Sequence, residues 1–274
     1  MSRTQISTGW LRWAGSKGRS LRALRPILEN RQYDYYVDPF VGAGTVFFAL
    51  AKPVDAVLSD LNADVINFYN FLKNNPESLW DELSSFPKEV SKSYYKIARN
   101  KFNGLPLGMD RAATFFFLNR TCFNGVYRIN QRGEFNVPYG LRSKFQYPSL
   151  ETLKQLSNML QRATILHGDF SQTLSFAHEG SLYYLDPPYT EIAGNPGFNR
   201  YSWPPFRRLD LERLQGFILH LLQRGADVIV SYSGRKSPWF VPDKFETRSF
   251  KVFRSISCDG TRGHKFEVCA YLLK

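Results

Sequence analysis

Asp186, Pro187, Pro188 and Tyr189 stand in a row, directly after the apolar run Ser181-Leu182-Tyr183-Tyr184-Leu185. The run predicts a buried strand. Two consecutive prolines cannot continue a sheet ladder, so the strand must end there. A carboxylate, a rigid backbone carbonyl and an aromatic ring are then gathered at the C-terminal end of a strand, where ligands bind in an open α/β sheet. The carboxylate and the carbonyl can each accept one proton of an amino group, and the ring can stack on the base that carries it. Such an arrangement suits methylation of the exocyclic nitrogen of a nucleobase. The bland alternative is a strand followed by a proline-rich turn, and the constellations upstream weigh against it.

The first of these is Asp38-Pro39-Phe40-Val41-Gly42-Ala43-Gly44-Thr45. Glycines after a strand let the backbone approach a ligand and turn into a helix. The third glycine of the dinucleotide fingerprint is absent, so alone this is a weak signal for anything beyond a tight strand–helix turn. Asp60 closes the next apolar run and can accept hydrogen bonds from ribose hydroxyls. It could instead cap the following helix, but Asn62 competes for that place, which favours the ribose contact. In Leu11-Arg12-Trp13-Ala14-Gly15-Ser16-Lys17, a tryptophan beside a Gly-Ser-Lys turn can pack on a cofactor and set a cation near its carboxylate. Read alone, the same stretch is an exposed basic arm. The stretch 118–128 interleaves Arg120, Phe123, Asn124, Tyr127 and Arg128. Arginine suits guanine and asparagine suits adenine in the major groove, and rings can fill the gap left by a flipped base. The alternative, a core aromatic cluster with solvated charges, is less attractive given the density of Asn and Arg.

The elements that must position these residues follow an α/β pattern. Residues 33–38 and 56–60 read as strands around a helix at 45–52, which favours a right-handed crossover and a parallel sheet. Residues 63–83 and 92–102 read as helices. Arg132-Gly133 between 127–129 and 134–137 suggests a hairpin-like loop. The α/β pattern resumes with a helix at 153–160, strands at 163–167 and 181–185, a helix at 209–223 and a strand at 227–231. An insert over 66–159 therefore divides a discontinuous α/β domain made of 1–65 and 160–274. The chain has 274 residues, 36 Lys and Arg against 24 Asp and Glu, a net charge of +12 and 16% aromatic residues. That balance points to a polyanion partner, nucleic acid first. Three cysteines show neither metal-ligand spacing nor a disulfide framework, which predicts a reducing compartment. With no signal-peptide core and no span-length apolar run, a cytoplasmic location is expected.

At this point the chain resembles the Dam-type, alpha-group DNA adenine-N6 methyltransferases. The resemblance rests on 11–17, on 38–47, on Asp60-Leu61-Asn62, and on Leu118-Asn119-Arg120 with Phe123-Asn124-Gly125. It continues through 132–138 and Asp186-Pro187-Pro188-Tyr189 to Arg254-Ser255-Ile256-Ser257. It implies a Rossmann-like S-adenosylmethionine-dependent methyltransferase sheet with an inserted, mostly helical target-recognition domain containing a hairpin loop. It implies that Trp13, Lys17, Asp38, Phe40, Gly42, Gly44, Asp60, Asp169, Phe170 and Asp186 bind the cofactor, which leaves as S-adenosylhomocysteine. Asp186, Pro187, Pro188 and Tyr189 would face a flipped adenine in double-stranded DNA, with no metal and no covalent enzyme intermediate. Arg12, Arg120, Phe123, Asn124, Val126, Arg128, Arg132, Pro138 and Arg142 would touch DNA, with Phe123 and Val126 as wedges. Lys144, Arg262 and Lys265 would add backbone contacts, and the loop 191–203 would order over the flipped base. Family members often carry Lys at Arg12, Gly at Ser16 and Glu at Asp38, mild changes for cofactor binding. Val126 stands where leucine is common, and Arg142 where an aromatic is. Both bear on the site read, GATC or a longer GAT-containing sequence. A monomer is expected, with a restriction endonuclease of the same site as a possible partner. The competing readings are an RNA adenine methyltransferase, a non-catalytic DNA-binding relative and, last, a nicotinamide-dependent dehydrogenase.

Overall fold

A computed structural model describes residues 10–13, 15, 17–29, 31–50, 54–141, 143–188, 206–233, 238–254 and 263–273. Tyr189, Arg142, Ser16, Arg262, the loop 191–203 and residues 255–257 lie outside these, as does the side chain of Lys265. Among the described residues, seven strands form one sheet: β1 (Tyr35–Asp38), β2 (Asp55–Asp60), β3 (Ala163–His167), β4 (Ser181–Leu185), β5 (Asp227–Ser233), β6 (Glu246–Arg254) and β7 (Gly263–Leu272). Their order is β3-β2-β1-β4-β5-β7-β6. The first five are parallel, and β7 runs antiparallel between β5 and β6. This is the expected Rossmann-like α/β sheet. The order turns back between β1 and β4, so the C-terminal ends of β1, β2 and β4 deliver Asp38, Asp60 and Asp186 to one edge at the switch point.

Strand side chains alternate between two apolar layers, as the period of two requires. Tyr36, Ala56, Leu58, Leu182, Tyr184 and Ile229 belong to one core. Their neighbours Val37, Val57, Tyr183, Leu185, Val228 and Val230 belong to the other, which α8 (Arg208–Gln223) covers with Leu214, Phe217 and Leu221. The first core also takes in α1 (Leu21–Glu29), α2 (Thr45–Leu50) and α3 (Ala63–Asn74). It extends without a break into α4 (Pro76–Ser85), α5 (Lys92–Gly104), α6 (Met109–Thr121) and α7 (Leu150–Leu160).

The helix expected over 63–83 is two helices. Asn75 ends α3, and Pro76 opens α4 at its first position, where the missing N–H costs nothing. Helix α6 packs against α3, α4 and α5 and is buried from Ala112 to Asn119, so its residues show no polar face. Within the stretch 118–128 read as a DNA surface, Leu118, Asn119, Thr121, Cys122 and Val126 are buried, and the preceding Phe115, Phe116 and Phe117 are core. The hairpin-like loop is present. Ile129 bridges Phe135, the Asn130 N–H donates to the Glu134 carbonyl, and Gly133 makes the tip at φ +78.

Candidate active site and DNA-facing surface

The turn between β1 and α2 is built around two glycines in the left-handed region. Gly42 (φ +46) lies so close to Trp13 that an added Cβ would sit 2.6 Å from the indole Cδ1. At Gly44 (φ +62) it would sit 2.7 Å from the Tyr69 hydroxyl. That hydroxyl donates to the Gly42 carbonyl at 3.0 Å. Asp60 receives the turn: its Oδ2 accepts the Gly42 N–H at 2.9 Å, and its Oδ1 accepts the Asn62 N–H at 2.8 Å. Asn62, not Asp60, caps α3, accepting from the N–H groups of Asp64 and Val65. Burial pushes the Asp60 carboxyl above its ordinary value, against the lowering effect of the Asn62 and Gly42 N–H groups. Burial does the same at Asp38, more strongly, against the Phe40 N–H that donates to its Oδ1 at 3.1 Å; the nearby charge of Asp186 adds to the rise.

Asp186 meets Lys17. The ammonium donates to both carboxylate oxygens at 2.7 Å and to the Gly15 carbonyl at 2.9 Å, and Lys17 is only 2% exposed. A lysine expected beside a cofactor carboxylate thus stands on the protein's own carboxylate. The 3₁₀ turn that carries it, Lys17–Arg19, ends at Ser20, whose hydroxyl donates to buried Glu267 on β7 at 2.6 Å. On the far side of the site, Asp169 Oδ1 accepts from the Ser171 backbone and hydroxyl and from Arg213 at 2.7 Å. Burial raises this carboxyl, but those donors together outweigh it and leave it lowered. The Arg213 guanidinium lies 5.1 Å over the Phe170 ring, and Phe170 packs on Phe40 at 5.5 Å. Trp13, Lys17, Asp38, Phe40, Gly42, Asp60, Asp169, Phe170, Asp186, Pro187 and Pro188 all line one cavity of about 950 Å³. Gly44 supports it from behind through Tyr69 and Phe48.

Residues 13–262 match the family model described as D12 class N6 adenine-specific DNA methyltransferase. The chain belongs to this family of DNA methyltransferases. It is 35% identical to the type II methyltransferase M.MjaIII of Methanocaldococcus jannaschii, over 92% of this chain and 94% of that one. It is 34% identical to a DNA adenine methylase of Vibrio cholerae, over 81% and 80%. It is also 35% identical to the DNA N-6-adenine-methyltransferase of Escherichia phage P1, over 96% of this chain but 35% of that longer protein.

In this methyltransferase the residues expected to face DNA fall into exposed and structural sets. Phe123 is exposed, Asn124 beside it takes φ +55, and Pro138 and Arg132 are exposed. Arg12 lies across Gly125, where a Cβ would come within 2.4 Å of it. Its backbone is clamped by Asn119, which accepts the Arg12 N–H at 2.8 Å and donates to its carbonyl at 2.6 Å. Arg128 is half-buried, its Nε donating to Asn136 Oδ1 at 2.7 Å across the hairpin. Arg120 is half-buried and reaches the Trp10 carbonyl. Val126 is buried at 7% exposure; its carbonyl accepts from Cys122 Sγ and its N–H donates to the Phe123 carbonyl. Burial pushes the thiols of Cys122 and Cys269 up to about 12, which leaves neither as a nucleophile near neutral pH. Among the described residues, no group of His, Cys, Asp and Glu could hold a metal ion, and no helix is long and apolar enough to cross a membrane. Ser20, Glu267 and Arg213 were not expected at the site, nor was the clamp of Asn119 on Arg12. Each acts through a partner far away in sequence, which local spacing does not reveal.

Proposed function

We propose that this DNA adenine-N6 methyltransferase takes its methyl group from S-adenosylmethionine and modifies an adenine flipped out of a GATC or related GAT-containing duplex site. The observation that carries this is the shared cavity, where the Asp60 carboxylate, already oriented by two N–H groups, faces the same space as Asp186. The residues fit the donor. A cavity of about 950 Å³ suits a ligand of that size. Asp60 is an acceptor for a ribose diol, and Asp169 with Phe170 an acceptor and a ring for its adenine. The glycine turn offers backbone that a side chain would block. Asp38 and Phe40 complete the cradle, and Trp13 braces it. When bound, the donor supplies an electrophilic methyl on a sulfonium.

Adenine N6 is a poor nucleophile because its lone pair is delocalised into the ring. Asp186 and the Pro187 carbonyl accept hydrogen bonds from its two N–H groups, and one proton leaves N6 to solvent after the methyl is transferred; Pro188 fixes the direction of the carbonyl, and Tyr189 stacks on the base. Positioning and stabilisation of the positive charge developing on N6 supply the catalysis. Lys17 holds the Asp186 carboxylate in place. Arg12, Asn124 and Arg128 read bases, Val126 and Arg142 bear on which site is read, Phe123 fills the vacated stack, and Arg120 and Arg132 hold the backbone beside Pro138. The segment 66–159 serves as the recognition unit and 1–65 with 160–274 as the catalytic unit. The enzyme acts as a monomer, and the type II name of the archaeal relative makes a restriction endonuclease of the same site the partner to seek.

The test is expression in a host without adenine methylation, followed by base-resolution mapping of N6-methyladenine. Methylation at one short GAT-containing motif supports the reading. Unmodified DNA from cells holding soluble, donor-binding protein would overturn it.

A further inference from the structure

Asp64 is buried at 3% exposure in the first turn of α3, four residues after Asp60. Its backbone N–H is held by Asn62, so it moves with the loop that presents Asp60. Three groups converge on its carboxylate. Arg111 gives a fork, Nε to Oδ1 at 2.5 Å and Nη2 to Oδ2 at 3.2 Å, and the Tyr127 hydroxyl donates to Oδ2 at 2.6 Å. Arg111 also donates to the carbonyls of Phe102 and Leu105 at the end of α5, at 2.8 and 2.6 Å, with its guanidinium 4.2 Å over the Phe102 ring. The Tyr127 ring lies 5.9 Å from Trp13, which itself braces Gly42. The next residue is Arg128, tied into the hairpin through Asn136. Asp64, Arg111 and Tyr127 all line the cavity.

We propose that Tyr127, Asp64 and Arg111 are positioning residues: a strut through which an occupied donor site fixes the recognition hairpin. The inference rests on the functional reading above. A desolvated carboxylate with three donors has one favourable arrangement. Shifting the hairpin strands the Tyr127 hydroxyl, and shifting the Asp60–Asn62 loop strands the Arg111 fork; either leaves a buried polar group unsatisfied. The two sites therefore share one geometry. Ordering the first favours the second, and by linkage the effect is reciprocal.

The experiment measures the Kd of the mapped cognate duplex and of a scrambled duplex, each with and without saturating S-adenosylhomocysteine. For the wild-type enzyme the product is expected to tighten cognate binding about tenfold more than scrambled binding, within the usual range of site coupling. Tyr127→Phe keeps the ring on Trp13 and leaves Asp64 paired to Arg111. It should still unfold in one cooperative transition, at a lower temperature for the lost donor, and still bind S-adenosylhomocysteine without DNA, while the coupling, taken relative to the variant's own Kd values, falls to about twofold or less. If that variant does not fold, Arg111→Lys serves: it keeps a charge on Asp64 but cannot bridge both carbonyls, and the same loss is expected. Wild-type coupling in a folded variant, or its absence from the wild-type enzyme, overturns the strut. A wild-type enzyme that binds neither product nor duplex brings down the functional reading, and the strut with it. The binding measurements on wild-type protein alone tell these failures apart.

Discussion

Asp186 and Lys17 are one unit, and their roles separate by substitution. Asp186→Asn keeps the shape and an acceptor but removes the charge that the proposed function sets opposite N6. Its single-turnover methylation rate should fall about 10²–10³-fold, as for loss of one preorganised electrostatic partner. It should also melt lower, since Lys17 loses its carboxylate partner in a site where it is 2% exposed. Adding Lys17→Met should restore the melting temperature and leave the rate low. A double variant that recovers turnover would show the carboxylate to be structural only. Asp38 gives a pH signature. Burial holds its proton to higher pH in the folded chain than in the unfolded one. The native state then binds more protons across that window, so stability falls as pH rises through it. Asp38→Asn removes the effect while keeping an acceptor for the Phe40 N–H. The melting temperature of ligand-free Asp38→Asn relative to wild type should therefore climb as pH rises above the ordinary carboxylate value of about 4. Parallel melting curves across that range would show that Asp38 carries no such penalty.

At the scale of elements, the two glycine turns allow a controlled comparison. Gly44 has φ +62 and a Cβ there would meet Tyr69 and Phe48 below 3 Å, whereas Gly133 has φ +78 and open space around it. Gly133→Ala should cost only the backbone strain, about 1–3 kcal/mol, and leave donor affinity unchanged while loosening DNA discrimination. Gly44→Ala should cost more in thermal unfolding and also weaken donor binding, as calorimetry would report. Equal effects of the two on donor affinity would contradict the assignment of the turns. What the sequence shows of these elements depends on how local their causes are. The parallel strands are short apolar runs, and Asp ends β1 and β2 and follows β4, so β1 to β5 and the three carboxylates are readable. The cap at Asn62 and the tip at Gly133 are readable for the same reason. Helix α6 is not, because it is buried all round and lacks a polar face. Neither is the break at Pro76 if only apolar spacing is followed. Val126 reads as a wedge because its neighbours are Phe123 and Arg128, yet its burial is decided by the fold around Cys122. Arg111 and Asp64, or Ser20 and Glu267, meet only because the chain brings distant elements together, and spacing carries no trace of it.

For the whole molecule, the excess of 36 basic over 24 acidic side chains sets how DNA is held before any base is read. Arginines facing phosphate release counterions, so the logarithm of affinity should fall linearly with that of salt concentration, by about 0.9 per phosphate neutralised. Arg132 and Arg128 occupy one hairpin but should behave differently. Arg132 is exposed near the tip. Arg132→Ala should weaken cognate and scrambled duplexes alike and lower the salt slope by about one. Arg128 is half-buried and braced by Asn136. Arg128→Ala should leave the slope nearly intact and cost about 1–3 kcal/mol at a single base pair, relaxing the methylated motif there. Fluorescence titrations of both variants over a salt series, with every single-base variant of the mapped site, measure both quantities together. Equal slopes and a uniform loss for the two would make Arg128 a phosphate contact. The fold would then be reading sequence from Asn124 and from Arg12, whose backbone Asn119 clamps.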